Sequence, residues 1–190
     1  MTQQISTTFI LAFAVLVIAA GVAGASDDGS SEPGQSGPAA IGPAEDGIEG
    51  VFLRSLRVTG SALRPREDNV NYATSSSGGC IYANAGDAFT VFNVAVTDLR
   101  QGATVDALRM YYDDTSGSNS SAWFTVYDLY GGLVDEWSVT TDGSTGNGFT
   151  DSAQINHVVD YNQFSYLLNW RPTVTGSSMQ LCGFRIFYSD

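Results

Sequence analysis

The densest run of oxygen-bearing side chains is Tyr111-Tyr112-Asp113-Asp114-Thr115-Ser116-Gly117-Ser118-Asn119. A hard cation such as Ca2+ takes about six to eight oxygen ligands, and Asp113, Asp114 and Asn119 are the side chains here that would supply them. The run lacks the Asp-x-Asp-x-Asp-Gly order of a calcium loop. The same residues suit Asx-type capping of a turn between two strands. No cofactor is therefore expected, with bound calcium as the alternative.

Catalytic sets are sparse. His157 is the sole histidine, set between Ile155 and Val158-Val159 as a core or edge residue would be. A serine triad would have to use it, and no Gly-x-Ser-x-Gly elbow accompanies it. One His and two Cys do not make a zinc site. Asp135 and Glu136 are neighbours on a strand-like run, so they face opposite ways and cannot act together as a glycosidase pair. No catalytic residue is assigned, and a hydrolase is the third-ranked function.

Aromatic residues make up 12% of the chain, and Tyr and Trp rings are natural platforms for sugars. Tyr111, Tyr130 and Trp170 are the foremost candidates, with Tyr82, Tyr161 and Tyr166 behind them. Arg109, Arg185 and Phe187 are the candidate interface contacts, because Arg and aromatic residues dominate interface energetics.

These residues need a scaffold, and the pattern for one is β throughout. In Met179 to Tyr188, Cys182, Phe184, Ile186 and Tyr188 alternate onto one face, and Leu181, Gly183, Arg185 and Phe187 onto the other. A strand apolar on both sides belongs in the middle of a sheet or under another subunit. Further short β-rich runs are expected near Val51–Val58, Val70–Ala73, Cys80–Ala83, Phe89–Val96, Thr104–Tyr112, Ala122–Leu129, Leu133–Thr140, Gln154–Val159 and Phe164–Trp170. Gly131-Gly132 marks a tight hairpin, and Gly143 to Gly148 reads as a longer loop. No window holds a helical apolar stripe. The expected fold is all-β, a single antiparallel jelly-roll-like sandwich.

Composition bounds the partners. All eight basic residues are Arg, the formal net charge is −12 and the pI is near 4.1. Such a chain is unsuited to nucleic acid or to anionic membranes, which need clustered positive charge. Residues Phe9 to Ala20 are apolar and Ala23-x-Ala25 precedes Ser26, the pattern of a signal peptide over 1–25. Met1 to Thr8 carries no Lys or Arg, so a retained anchor is the alternative. Residues 26–50 hold six carboxylates and no base among Gly, Ser and Pro, and read as a disordered acidic spacer. Twenty acids less those six leave fourteen, against eight Arg, in the domain expected over 51–190. In an exported chain the two cysteines, Cys80 and Cys182, most simply form one bridge. Two free or intermolecular thiols are the alternative.

The series Gly79-Cys80-Ile81-Tyr82, Leu99-Arg100-Gln101-Gly102-Ala103-Thr104-Val105, Leu108-Arg109-Met110-Tyr111-Tyr112-Asp113-Asp114-Thr115, Leu168-Asn169-Trp170-Arg171-Pro172 and Met179 to Ile186 resembles uncharacterised secreted bacterial jelly-roll-like proteins. Arg100 stands where a Pro is common in them. A looser likeness of architecture is to trimeric jelly rolls of the tumour-necrosis-factor and complement-C1q kind. The resemblance implies fold and export, and no activity. The expected function is that of a secreted (periplasmic or extracellular), non-enzymatic domain that assembles with itself as a homo-oligomer or binds a surface component. The alternative is a carbohydrate-binding module with a surface glycan as partner. No membrane span is expected once the signal is removed.

Overall fold

The computed structural model describes residues 54–86, 88–142 and 146–190. The expected signal peptide, the acidic spacer and the domain start at Val51 lie outside the described residues. Twelve strands follow in order: β1 (Arg54–Thr59), β2 (Arg64–Pro65), β3 (Asn71–Thr74), β4 (Ile81–Ala85), β5 (Phe92–Val96), β6 (Thr104–Asp114), β7 (Ser121–Asp128), β8 (Leu133–Thr140), β9 (Gly146–Asp151), β10 (His157–Val158), β11 (Phe164–Arg171) and β12 (Met179–Ser189). A short 3-10 turn, Gly60–Ala62, is the only helical element among the described residues, and none of these is a helix long and apolar enough to cross a membrane.

The strands form two antiparallel sheets. Sheet A has seven strands: β12 pairs with β6 on one edge and with β1 and β4 on the other, β3 extends β4, and β9 and β10 share the far edge of β6. Sheet B has five strands in the order β2-β5-β11-β7-β8. Their inner faces meet in one core. Leu108, Met110, Leu181, Phe184 and Ile186 come from sheet A, and Phe92, Phe124, Tyr166, Leu168 and Trp170 from sheet B. Of the two placements its two-sided apolar character allows, β12 takes the middle of its sheet.

Its face assignment differs from the simple alternation. Leu181 pairs with Tyr112 and Gly183 with Tyr111, so Cys182 is an extra residue in the ladder. A bulge of this kind moves the following residues to the opposite face from the one that counting gives. Leu181 therefore joins Phe184 and Ile186 in the core, and Cys182 is removed from that row. The bulge is also where Cys182 bonds Cys80, their Cα atoms 3.8 Å apart and 102 residues apart in sequence. Closing a loop of that length removes denatured-state entropy worth about 4–5 kcal/mol in the chain-entropy account. A second shift opposite Phe187/Tyr188 leaves Asp106 of β6 out of the ladder and brings Val105 onto the core side with Leu108.

Two local expectations change. The run expected as a loop at Gly143 to Gly148 enters a strand at Gly146, where β9 pairs with Tyr112–Asp114 of β6; residues 143–145 lie outside the described residues. Gly and Asn are poor strand formers, and it is the long edge of β6 that imposes the conformation. The strand expected over Gln154–Val159 shrinks to His157–Val158, preceded by Asn156 at φ 56°. The hairpin is as expected: Gly131 adopts φ 82°, and Asp128 Oδ1 accepts from the backbone N–H of Tyr130 (2.9 Å) and Gly132 (2.7 Å).

The 3-10 turn packs directly on β12. A Cβ on Gly60 would collide with the carbonyl oxygen of Leu181, a backbone atom in the middle of the sheet that cannot rotate away. Gly60→Ala should therefore cost about 2 kcal/mol or more. By thermal denaturation that is a fall in Tm of roughly 5–10 °C; an unchanged Tm would refute this tight approach.

Candidate functional site

The three candidate calcium ligands are not brought together. Asp113 and Asp114 are consecutive on β6 and so face opposite ways. Asp114 is 0% exposed. Its Oδ1 accepts from the Ser116 N–H (3.1 Å) and hydroxyl (2.7 Å), and its Oδ2 from the Thr141 hydroxyl (2.8 Å). That is the Asx-turn arrangement. Asp113 instead meets Gln180 Nε2 at 3.4 Å, and Asn119 uses its backbone carbonyl to accept from Thr173 at 2.8 Å. No cluster of three or more His, Cys, Asp or Glu side chains placed to hold a metal occurs among the described residues.

The aromatic candidates separate by environment. Trp170 is 0% exposed and packs 5.3 Å from the Phe92 ring, so it is core filling and not a surface platform. Its strand β11 alternates, and Trp170 falls in the inward set with Tyr166 and Leu168. Tyr111 is half-buried beside Phe149 on the outer face of sheet A. Tyr130, at the hairpin tip, is 99% exposed.

The interface candidates do converge. The Arg109 and Arg185 guanidinium carbons lie 5.3 and 4.8 Å from the Phe187 ring centre on the outer face of sheet A. Arg109, only 5% exposed, also lies 4.1 Å from the Phe149 ring centre and donates through Nε (2.7 Å) and Nη2 (2.9 Å) to the two Asp151 oxygens. That fork holds Arg109 more firmly protonated than usual.

Sequence reasoning missed a further surface, the outer face of sheet B. Phe124 and Val126 point to the core, which turns Trp123, Thr125 and Tyr127 outward. Cross-strand register then lines up Arg64, Asn93, Asn169, Trp123 and Ser138, one residue from each of the five strands. The adjacent row is Ala95, Leu167, Thr125 and Glu136. Asn169 Nδ2 donates to the Thr125 hydroxyl (2.8 Å), which donates to Glu136 Oε2 (3.1 Å), a relay across three strands. Arg171 lies 5.1 Å from the Trp123 ring centre. Arg64, Glu136, Ser138 and Arg171 are exposed, and Asn93, Trp123 and Tyr127 half-buried. The run Trp123 to Tyr127 is β-branched and aromatic throughout, so its own sequence hides which residues face out. The usable signal lay in its neighbours, where Asn93, Asn169 with Arg171, and Glu136 with Ser138 are polar at alternate positions.

His157, on β10 of sheet A, turns its ring toward the inner side of sheet B. Its ring lies 5.8, 5.7 and 5.6 Å from those of Trp137, Phe164 and Tyr166. The Tyr166 oxygen accepts from the Asp160 N–H (2.7 Å) and lies within hydrogen-bond distance of His157 Nε2 (3.3 Å). Burial pushes the imidazole below its ordinary 6.5, against the opposing pull of Asp135. Asp135 and Glu136 lie in register with Val126 and Thr125, on opposite sides of β8.

No family model and no curated protein matches the chain. Among solved structures it is similar to a CBM22-1 xylan-binding domain from Paenibacillus barcinonensis Xyn10C, at 16% identity and TM-score 0.48, over 70% of this chain and 92% of the other. It is similar to a family 35 carbohydrate-binding module from Clostridium thermocellum, at 14% identity and TM-score 0.44, over 70% and 97%. It is also similar to an exo-β-1,3-galactanase from Phanerochaete chrysosporium, at 10% identity and TM-score 0.45; there it covers 70% of its own length but spans only 29% of the enzyme.

The His157 environment sets a pH dependence. A histidine whose folded pKa is depressed leaves stability untouched above about 6.5, and stability is lost as pH falls from there through the folded pKa. Tm should thus decline between pH 7 and pH 5, and His157→Gln should make that decline shallower. Identical slopes for the two proteins would refute this role.

Proposed function

We propose that this domain is a secreted, non-catalytic carbohydrate-binding module whose ligand lies on the outer face of sheet B. The observation that carries it is the row Arg64–Asn93–Asn169–Trp123–Ser138, which crosses all five strands. A sugar ring offers an apolar face and a rim of hydroxyls. Trp123 supplies a ring to stack on, and the two amides and the serine supply donors and acceptors fixed by the sheet. The Asn169–Thr125–Glu136 relay holds its side chains in place before any ligand arrives, which lowers the entropy cost of binding. The Cys80–Cys182 bridge fits an oxidising, extracellular setting. Three hydrogen bonds already engage Asp114, and this reading assigns calcium no part in binding.

Affinity electrophoresis against neutral polysaccharides (xylan, mannan, β-glucan, galactan) tests the proposal. At least one should retard the protein with or without EDTA. Trp123→Ala should weaken that binding by about tenfold or more, while Tyr111→Ala on the other sheet leaves it unchanged. Retardation by none of them, or a Trp123→Ala protein that binds as well as its parent, defeats it.

A second function, self-association, is favoured by the β7–β8 tip, where Leu129, Tyr130, Leu133 and Val134 stand exposed. The architectural likeness to trimeric tumour-necrosis-factor and complement-C1q jelly rolls belongs with it. Light scattering should then give a mass that rises with concentration and falls back to that of a single chain in Tyr130→Ser. A constant single-chain mass removes it.

A further inference from the structure

The ion pairs among the described residues engage Arg54, Arg66, Arg100 and Arg109. Arg171 joins none of them, although the domain over 51–190 holds fourteen acids. It stands exposed at the end of β11, where its guanidinium lies against the Trp123 ring. Leu168 and Trp170 take the inward positions of β11, so Arg171 shares the outer face with Asn169. Its register partner is Ser121, two residues before Trp123, which makes Arg171 a diagonal neighbour of that ring. Diagonal positions are about 7–8 Å apart, a gap that a long side chain spans. On the other side of Trp123, Glu136 stands in the row of Thr125 and accepts from its hydroxyl. The stacking platform thus lies between a guanidinium that no described carboxylate pairs and a carboxylate already engaged.

We propose that the sugar stacked on Trp123 is a uronic acid and that Arg171 takes its carboxylate; this rests on the sheet B reading above and names the ligand class of that site. The geometry leaves room for both contacts. Flat groups stacked face to face approach to about 3.5–4 Å, whereas the Arg171 guanidinium carbon is 5.1 Å from the ring centre. It is displaced toward the rim of the indole and does not cap it. A pyranose over that ring carries its exocyclic substituent at its own rim, beside the guanidinium. A hexose places a hydroxymethyl group there, and a uronic acid a carboxylate. The planar fork of Arg matches two carboxylate oxygens, as Arg109 does with Asp151 at 2.7 and 2.9 Å on the other sheet. Attraction to the indole holds the Arg171 cation near this place before a ligand arrives, so less side-chain freedom is lost on binding. Glu136 repels a like charge, which turns the carboxylate of the sugar toward Arg171 and its hydroxyl edge toward Glu136. Fourteen acids less eight Arg leave the domain net negative, so polyanions in general are repelled and the attraction is local to this corner of the face.

Affinity electrophoresis of the intact chain tests this with glucuronoxylan and polygalacturonate, each beside its carboxyl-reduced counterpart, which keeps the backbone and removes the charge. At low salt at least one native polymer should bind about fivefold more tightly than its reduced form, and the preference should shrink as salt rises. Arg171→Gln should be retarded alike by the two members of that pair. Arg171→Lys should restore less than half of the preference, because a single ammonium cannot make the fork. Arg57→Gln, an equal loss of charge at an exposed position on sheet A, should keep all of it. Trp123→Ala should lose binding to both members, and dextran sulfate should bind no better than the reduced polymers. If native and reduced forms bind equally and still depend on Trp123, the uronic acid assignment falls and the sheet B site stands; if no polymer binds, both fall. A preference that survives in Arg171→Gln, that vanishes equally in Arg57→Gln, or that dextran sulfate matches would also overturn the proposal.

Discussion

Strand β12 is held on both edges, by β6 along its length and by β1 and β4 in succession on the other side. Within it, one inserted residue at Cys182 decides which side chains reach the core. Without that bulge Leu181 and Phe184 could not both point inward, since three residues of regular strand put side chains on opposite faces. Everything downstream follows this shift. Phe184 and Ile186 meet Leu108 and Met110 below the sheet, and Arg185 and Phe187 are left above it beside Arg109. The bridge to Cys80 pins the chain at the residue where alternation breaks.

The two outer faces carry different chemistry for the same reason. Once the inner faces are committed to the core, alternation assigns the remaining side chains without further choice. On sheet B that remainder is amides, hydroxyls, Glu136 and the Trp123 ring, joined by hydrogen bonds across strands. On sheet A it is guanidinium groups interleaved with Phe149 and Phe187. The core itself is plain, with large rings such as Trp170, Tyr166 and Phe124 filling the space between the layers.

Much of the scaffold was legible in the residue pattern. The two-sided apolar strand at 179–188 belonged in the middle of a sheet or under another subunit, the Gly131-Gly132 turn was the best hairpin signal, and the two cysteines most simply formed one bridge; the structure has the central strand, the hairpin and the bridge. What period-2 counting cannot register is an inserted residue, so Cys182 and Leu181 were assigned to the wrong faces. It also cannot register pairing imposed from outside, so the Gly- and Asn-rich start of β9 looked like a loop. For the sites, Arg109, Arg185 and Phe187 were singled out by residue type alone, and the structure brings the three side chains together on one face. Trp170 was misjudged because a Trp near a strand end reads alike whether it faces in or out. Trp123 was hidden by the β-branched and aromatic run around it, and only its partners across the sheet reveal its direction.

The outermost strands of sheet B bear on how the molecule behaves at high density. At one border Pro65 offers no N–H for a further strand; at the other, β8 is broken by the offset opposite Val126/Tyr127 and carries adjacent Asp135 and Glu136. Two such borders brought together would set carboxylates against carboxylates and leave the ladder interrupted. Sheet B is thus guarded against joining a neighbouring copy edge to edge into a continuous ribbon.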